Sequence, residues 1–215
     1  FELDRMIPLT DEAGYSGPRR TQANRRRESD RRMLRAAARL FAERGVSGTS
    51  LADVGVAAGY SRGLPVERYN SKLGLITALL DAMDAWFQAH IATVLEGARG
   101  MQAVRLRMAA HLASVERDIT STAALYSIYT ESLFVMPELQ PHVARVTGRW
   151  GDGLADNLRQ ARRAGEIGRR VDCGGEARFL LAAMRGLVIQ YLLDRSDADF
   201  SRSKKILLSH LERLQ

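Results

Sequence analysis

Residues 50–72 read SLADVGVAAGYSRGLPVERYNSK, a pattern that predicts two short helices joined by a tight turn. Ser50, followed three residues later by Asp53, has the spacing of a capping box that opens the first helix. We expect Ser61 to cap the second. Gly59 suits the turn because glycine adopts a positive φ without steric strain. The stretch therefore predicts a helix-turn-helix over residues 50–69, a motif whose second helix lies in the major groove of DNA.

Helical periodicity continues on both sides of this motif. Before it, an apolar stripe from Met33 to Phe41 ends at Gly45. After it, apolar residues recur at three- and four-residue steps in six further segments, and no stretch alternates with period two. We therefore predict an all-α fold of about nine helices, in which a three-helix DNA-binding domain precedes a helical bundle.

The charge of the chain is concentrated in its first third. Residues 1–18 carry one Arg against four acids, whereas residues 19–72 carry thirteen Arg or Lys against five acids, a net charge of +8 in a chain whose total is +7. Such a basic segment is typical of a domain that binds a polyanion, although a solvated basic tail has the same composition. We predict a flexible basic arm over residues 1–28, a DNA-binding domain over 29–72 and a near-neutral helical body over 73–215.

Four short motifs resemble the TetR family of transcriptional regulators in order and spacing. They are LRAAARLFAERG at 34–45, GTSLADV at 48–54, AGYSRG at 58–63 and YNSK at 69–72. GEI at 165–167 and RGLVIQY at 185–191 are similar to the C-terminal part of many members, more loosely. The resemblance implies a repressor-type DNA-binding head, a dimer formed by the last two helices and an inducer pocket among the helices between.

The segment after Gly63 departs from the family pattern. Members usually carry Thr-Leu-Tyr-x-His/Tyr-Phe there, whereas residues 64–69 read LPVERY, so Val66 replaces a tyrosine that commonly contacts a phosphate. Pro65 is tolerable near a helix start, but it should push Leu64 away from helical geometry. Glu67 either accepts a hydrogen bond from a cytosine amino group or pairs with a neighbouring arginine, Arg62 or Arg68.

The basic residues are expected to divide between two roles. Lys72 stands where the family carries a lysine and begins a helix, so we expect it to bind a phosphate. Arg62 is placed to read a base edge. The arm should add phosphate contacts through Arg19, Arg20, Arg25, Arg26 and Arg27. The residues predicted to lie at the DNA are Ser50, Tyr60, Ser61, Arg62, Gly63, Leu64, Val66, Glu67, Arg68, Tyr69 and Lys72.

The body, residues 73–215, is expected to be a ligand-binding and dimerisation domain, which binds a small molecule and a second copy of the chain. Its aromatic and methionine residues are ordinarily core, but a sensing cavity also needs apolar walls with a few polar groups. We predict a largely apolar, drug-sized ligand among residues 83–154. The candidate pocket residues are Trp86, Met108, Leu112, Tyr126, Tyr129, Glu131, Trp150 and Met184. Leucines in excess of one core stripe predict a homodimer through Leu180, Leu181, Leu187, Leu192, Leu207, Leu208, Leu211 and Leu214.

The sequence contains no motif typical of a membrane protein, a metalloprotein or an enzyme. One cysteine, Cys173, cannot form an internal disulfide, and there is no signal segment or bilayer-length apolar run, so a cytoplasmic protein that binds no membrane is expected. The four histidines lack metal-ligand spacing, and no nucleophile–base pair, paired-carboxylate site or phosphate loop is present, so we expect no metal, cofactor or enzyme activity. A ligand-responsive repressor is the first hypothesis. A DNA-binding regulator controlled by a protein partner or by its abundance is the second.

Overall fold

The structure, a computed structural model, describes residues 21–214. Within that range it contains nine α-helices, two short 3-10 helices and no β-strand, which confirms the predicted all-α fold. The α-helices are α1 (Gln22–Arg44), α2 (Leu51–Ala57), α3 (Leu64–Tyr69), α4 (Lys72–Leu95), α5 (Gly100–Arg117), α6 (Ile119–Phe134), α7 (Gln140–Ala164), α8 (Cys173–Asp194) and α9 (Asp197–His210). The 3-10 helices span Pro137–Leu139 and Leu211–Leu214.

The helices form two compact units. The first contains the described residues up to Phe87 together with Asp118–Val143, and the second contains Gln88–Arg117 and the residues from Ala144 onward. The predicted DNA-binding domain, 29–72, lies wholly within the first unit. That unit also contains the first part of α4 and all of α6, two helices from the segment that we assigned to the body.

Helix α1 begins about two turns before the predicted start at Ser29. The hydroxyl of Thr21 caps it by accepting a hydrogen bond from the N–H of Asn24 at 3.2 Å, and Arg32 pairs with Glu28 at 2.9 Å. Residues 22–28, predicted as part of a flexible arm, are therefore helical. The prediction relied on apolar periodicity, which a capped segment of good helix formers does not need. Arg19 and Arg20 lie outside the described residues.

The core of the first unit joins α1 to α6. Met33, Ala37 and Phe41 from α1 are buried, as are Ala124 and Ile128 from α6. Each large apolar side chain buried in this way contributes roughly 1.5–3 kcal/mol relative to an exposed one. Helix α6 is thus part of the structural support of α1, on which α2 also packs.

The second unit contains a buried histidine. His111 on α5 meets the ring of Trp150 edge to face, with ring centroids 4.9 Å apart and planes inclined at 77°. Burial, and secondarily the charge of Arg185, lower the pKa of His111 to about 4. The folded chain therefore holds this imidazole neutral at pH values where the imidazole of the unfolded chain is protonated.

None of the helices between residues 21 and 214 is both long and apolar enough to cross a membrane. In the same range, no three histidine, cysteine or acidic side chains lie together as a metal site would require.

We predict that His111 makes the stability of the fold sensitive to acid. As the pH falls from about 6.5 to about 4, the unfolded chain binds a proton at His111 that the folded chain does not, so the free energy of unfolding falls by about 3 kcal/mol. The His111→Phe variant should not show this fall, because phenylalanine binds no proton. Urea unfolding of both chains at several pH values across the window measures it, and parallel curves for the two chains would contradict the prediction.

Candidate DNA-binding surface

A reciprocal cap fixes the start of α2, as the sequence predicts. The Ser50 hydroxyl accepts a hydrogen bond from the N–H of Asp53 at 3.1 Å, and the N–H of Ser50 donates to the Asp53 carboxylate at 3.0 Å. The Ser50 hydroxyl, and then its N–H, hold the pKa of Asp53 below the usual range. The capping box is therefore confirmed, and it orients the first helix of the motif.

The crossing of α2 and α3 depends on two glycines. Gly59 has φ +79°, the positive value expected for the turn. Gly55 lies where the helices approach, because a Cβ atom there would be 2.5 Å from the Ser61 carbonyl oxygen and 3.1 Å from the ring of buried Pro65. Gly55 was not among the residues that we expected at this crossing. Its signal was a glycine inside a helix, which costs about 1 kcal/mol and so indicates close packing.

Helix α3 starts later than predicted. Its N-cap is Gly63, which makes no side-chain capping bond, and Leu64 is its first residue, so Ser61 is not the cap and the expected displacement of Leu64 does not occur. Pro65 takes an early helical position, where a missing N–H removes no intrahelical hydrogen bond. The result is a helix of six residues ending at Tyr69.

Two of the predicted DNA contacts instead tie α3 to α1. The Arg68 guanidinium donates to the Ser29 hydroxyl at 3.3 Å and lies 3.7 Å from the Asp30 carboxylate, and the Arg68 side chain is only 16% exposed. The Tyr69 hydroxyl donates to the Asp30 carbonyl oxygen at 3.4 Å, and burial raises the pKa of Tyr69. Arg68 therefore pairs with Asp30 and not with Glu67.

The residues predicted to contact DNA differ in their exposure. Six predicted contacts are exposed: Ser50, Ser61, Arg62, Gly63, Val66 and Glu67. Tyr60, Leu64 and Lys72 are half-buried, like Arg68 and Tyr69. Val66 is 49% exposed despite being apolar, and Glu67 forms no ion pair with a described residue. Val66 and Glu67 are therefore the exposed residues of α3 itself.

Lys72 lies at the start of α4. The Ser71 hydroxyl caps this helix by accepting from the N–H of Gly74 at 3.0 Å. Partial burial lowers the pKa of Lys72, and the nearby carboxylate of Glu131 opposes that shift. The helix N-terminus and the ammonium together form a positively polarised end that suits an anion.

The predicted pocket residues fall into two groups. Trp86, Tyr126, Tyr129 and Glu131 lie in the first unit, and Met108, Leu112, Trp150 and Met184 in the second. Tyr126 and Tyr129 have ring centroids 5.7 Å apart, while Met108, Leu112 and Met184 are buried in the second unit. Glu131 does not present a free carboxylate, because both of its oxygens accept hydrogen bonds from Ser47.

Half of the predicted dimer leucines are buried within their own chain. These are Leu180, Leu181, Leu207 and Leu211, whereas Leu187, Leu192, Leu208 and Leu214 are half-buried. The exposed apolar side chains of α8 and α9 are Phe179, Ile189, Leu193 and Ile206. A period-3.6 pattern alone could not separate these two faces, because both are apolar.

Comparisons with known proteins match both parts of the chain. Residues 33–79 match the family model for bacterial regulatory proteins of the tetR family, and residues 102–215 match the model for the C-terminal domain of BetI-type transcriptional repressors. No curated protein sequence is similar at a significant level.

Solved structures of similar fold cover nearly the whole chain. Salmonella enterica GusR is 26% identical, over 90% of this chain and 97% of its own, with a TM-score of 0.73. A TetR-family regulator from Rhodococcus sp. is 24% identical over 86% and 98%, with a TM-score of 0.74. A regulator from Saccharomonospora viridis, solved in complex with choline, is 21% identical over 86% and 96%, with a TM-score of 0.72. The last two establish similarity of fold alone.

We predict that Gly55→Ala destabilises the protein by about 1–3 kcal/mol, because the new methyl group overlaps backbone that must then shift. Gly148→Ala is the matched control. It also lies inside a helix, but nothing surrounds its Cβ position, so the change should stabilise by up to about 1 kcal/mol. Denaturant unfolding compares the two, and equal effects of the same sign would contradict the predicted crossing.

Proposed function

Because the chain belongs to the TetR family of transcriptional regulators, we propose that it is a homodimeric repressor that binds a palindromic operator and is released by a small molecule. The observation that carries this proposal is the surface formed by the turn before α3, by α3 and by the start of α4. Arg62 is exposed in the turn, Val66 and Glu67 are exposed on α3, and Lys72 opens a long helix. This surface belongs to a segment with a net charge of +8. A basic surface that presents a short helix fits the major groove.

Each exposed side chain contacts a different kind of base in this proposal. Arg62 reads guanine, the base that arginine contacts most often in the major groove. Glu67 accepts a hydrogen bond from a cytosine amino group, because a carboxylate facing DNA without such a donor would only be repelled by phosphates. Val66 packs against a thymine methyl group. Arg68 and Tyr69 support α3 from behind through their bonds to Ser29 and Asp30.

Lys72 binds a phosphate and carries no sequence information. Its ammonium and the free N–H groups of the α4 N-terminus act on the same anion. Lys72→Ala should therefore weaken binding to every duplex alike, whereas Arg62→Ala should weaken binding to the operator alone.

We predict that Lys72→Ala lowers the log–log salt slope of binding by about 1.8, since a dimer loses two phosphate contacts at about 0.9 each. Arg62→Ala should cost about 1–3 kcal/mol per half-site on the operator and little on a scrambled duplex. An operator selected from random duplexes, followed by fluorescence anisotropy over a salt series, measures both. Lys205→Ala removes an exposed lysine of the second unit and controls for net charge. Equal weakening of both duplexes by Arg62→Ala would make Arg62 a phosphate contact.

The second copy of the chain packs on α8 and α9. A shallow groove of about 370 Å³ runs between these helices, and Phe179, Ala183, Gly186 and Ile206 are among its lining residues. Phe179 and Ile206 are more than half exposed, which is costly for a large apolar side chain in water. Small residues at 183 and 186 allow a partner helix to approach closely. A twofold dimer through this face would place two heads about one DNA turn, roughly 34–36 Å, or a multiple of it, apart.

We predict that Gly186→Arg converts the dimer to a monomer. Nothing surrounds the Cβ position of Gly186 within one chain, so the arginine should leave the folded protomer intact and obstruct only a partner helix. Gly148→Arg is the matched control, because that helical glycine is equally open, and it should remain dimeric. Sedimentation velocity at micromolar concentration distinguishes the two. A dimer in both variants would exclude this face of α8 from the interface.

A thermal-shift screen tests release by a small molecule. A ligand of the folded state raises the melting temperature by mass action, and an inducer must also release the operator, because equal affinity for both states shifts nothing. Choline belongs in the first set of compounds, since the Saccharomonospora viridis regulator is in complex with it and aromatic side chains bind quaternary ammonium groups. Largely apolar molecules form the rest. If no compound does both, control by a protein partner or by abundance becomes the better hypothesis.

A further inference from the structure

The turn that leads from α1 into α2 is held by side chains of α6. The N–H of Val46 donates to the Ser127 hydroxyl at 3.2 Å, and the N–H of Ser47 donates to Glu131 Oε1 at 2.8 Å. The Ser47 hydroxyl donates to Glu131 Oε2. Two successive main-chain N–H groups of the turn are thus bound by residues more than 80 positions later in the sequence.

Packing fixes the face of α6 that makes these bonds. Ser127 and Glu131 are four residues apart and therefore lie one above the other on the helix. Ala124 and Ile128 of the same helix are fully buried in the core that α6 shares with α1. Because a carboxylate acceptor forms a stronger hydrogen bond than a neutral one, Glu131 contributes more to this attachment than Ser127 does.

The charge of Glu131 also affects the lysine that follows the helix-turn-helix, because it opposes the effect of burial on the pKa of Lys72. The geometric attachment itself is the set of hydrogen bonds to the turn at 46–47, which leads directly into α2.

We propose that Glu131 is a positioning residue for DNA binding, which holds the turn before α2 in the geometry that the operator requires. Glu131 touches no DNA in this proposal, which rests on the proposed function. It acts through its two hydrogen bonds with Ser47, and it makes α6 a necessary part of the DNA-binding unit.

A purely electrostatic role and a positioning role of Glu131 predict opposite changes in operator affinity when the carboxylate is removed. If the carboxylate mattered only as a negative charge beside a phosphate-binding lysine, its removal would strengthen binding to all DNA. If it positions the turn, its removal weakens binding to the operator, while binding to scrambled DNA stays equal or becomes slightly tighter. The sign of the change on the operator therefore separates the two roles.

The experiment compares Glu131→Gln, Ser47→Ala and the control Glu138→Gln, which neutralises an exposed glutamate of the same unit. Each variant, in the full-length chain, is titrated by fluorescence anisotropy against the selected operator and a scrambled duplex, and its amide hydrogen exchange is measured without DNA. Because an amide accepts a weaker hydrogen bond than a carboxylate does, we expect Glu131→Gln to lose about tenfold in operator affinity. The rate of amide hydrogen exchange should rise by a similar factor over residues 45–49 and should change little in α7.

Ser47→Ala keeps the main-chain bond and loses only the hydroxyl bond, so it should show a smaller loss of the same sign. Glu138→Gln should match the wild-type chain. Unchanged or tighter operator binding by Glu131→Gln, or unchanged exchange over 45–49, would overturn the positioning role and leave the proposed function standing. If the wild-type chain itself prefers no selected duplex over the scrambled one, the proposed function fails and the positioning role fails with it.

Discussion

The packing of α6 against α1 is the constraint on which the DNA-binding surface depends. Helices of six and seven residues, such as α3 and α2, are too short to be stable alone, because nucleating a helix costs more than so few hydrogen bonds return. They persist because they rest on a third helix, α1, whose buried side chains Met33, Ala37 and Phe41 share a core with α6. The candidate DNA-binding surface is thus supported by a helix that lies some 50 residues further along the chain.

Within that support, polar groups connect elements that apolar packing alone would leave free to slide. Arg68 and Tyr69 bind α3 to the first part of α1, and Ser127 and Glu131 bind the turn at the other end of α1. Hydrogen bonds are directional, so each adds a fixed geometry to the non-directional burial around it. The helix-turn-helix is consequently oriented from both sides, and few of its long side chains remain available for DNA.

In the second unit, apolar residues serve two different surfaces. Leu180 and Leu207 are buried within the protomer, whereas Phe179 and Ile206 are more than half exposed on the same helices. A neutral imidazole, His111, is enclosed among the aromatic and aliphatic side chains. This arrangement gives the unit its own core and still leaves apolar side chains exposed, the face on which we propose that a second copy packs.

The sequence by itself determined the nine helices, the capping box of Ser50 and Asp53 and the positive φ of Gly59, because each depends on residues only a few positions apart. The family followed from motifs of the same local kind. Only the tertiary structure decided that Arg68 turns inward to a residue 39 positions away and that Glu131 binds a turn 84 positions away. It also decided which leucines are buried. The sequence around a carboxylate or a leucine is the same whichever residue it contacts in the folded chain. That contact is set by helix packing, which no short stretch of sequence encodes.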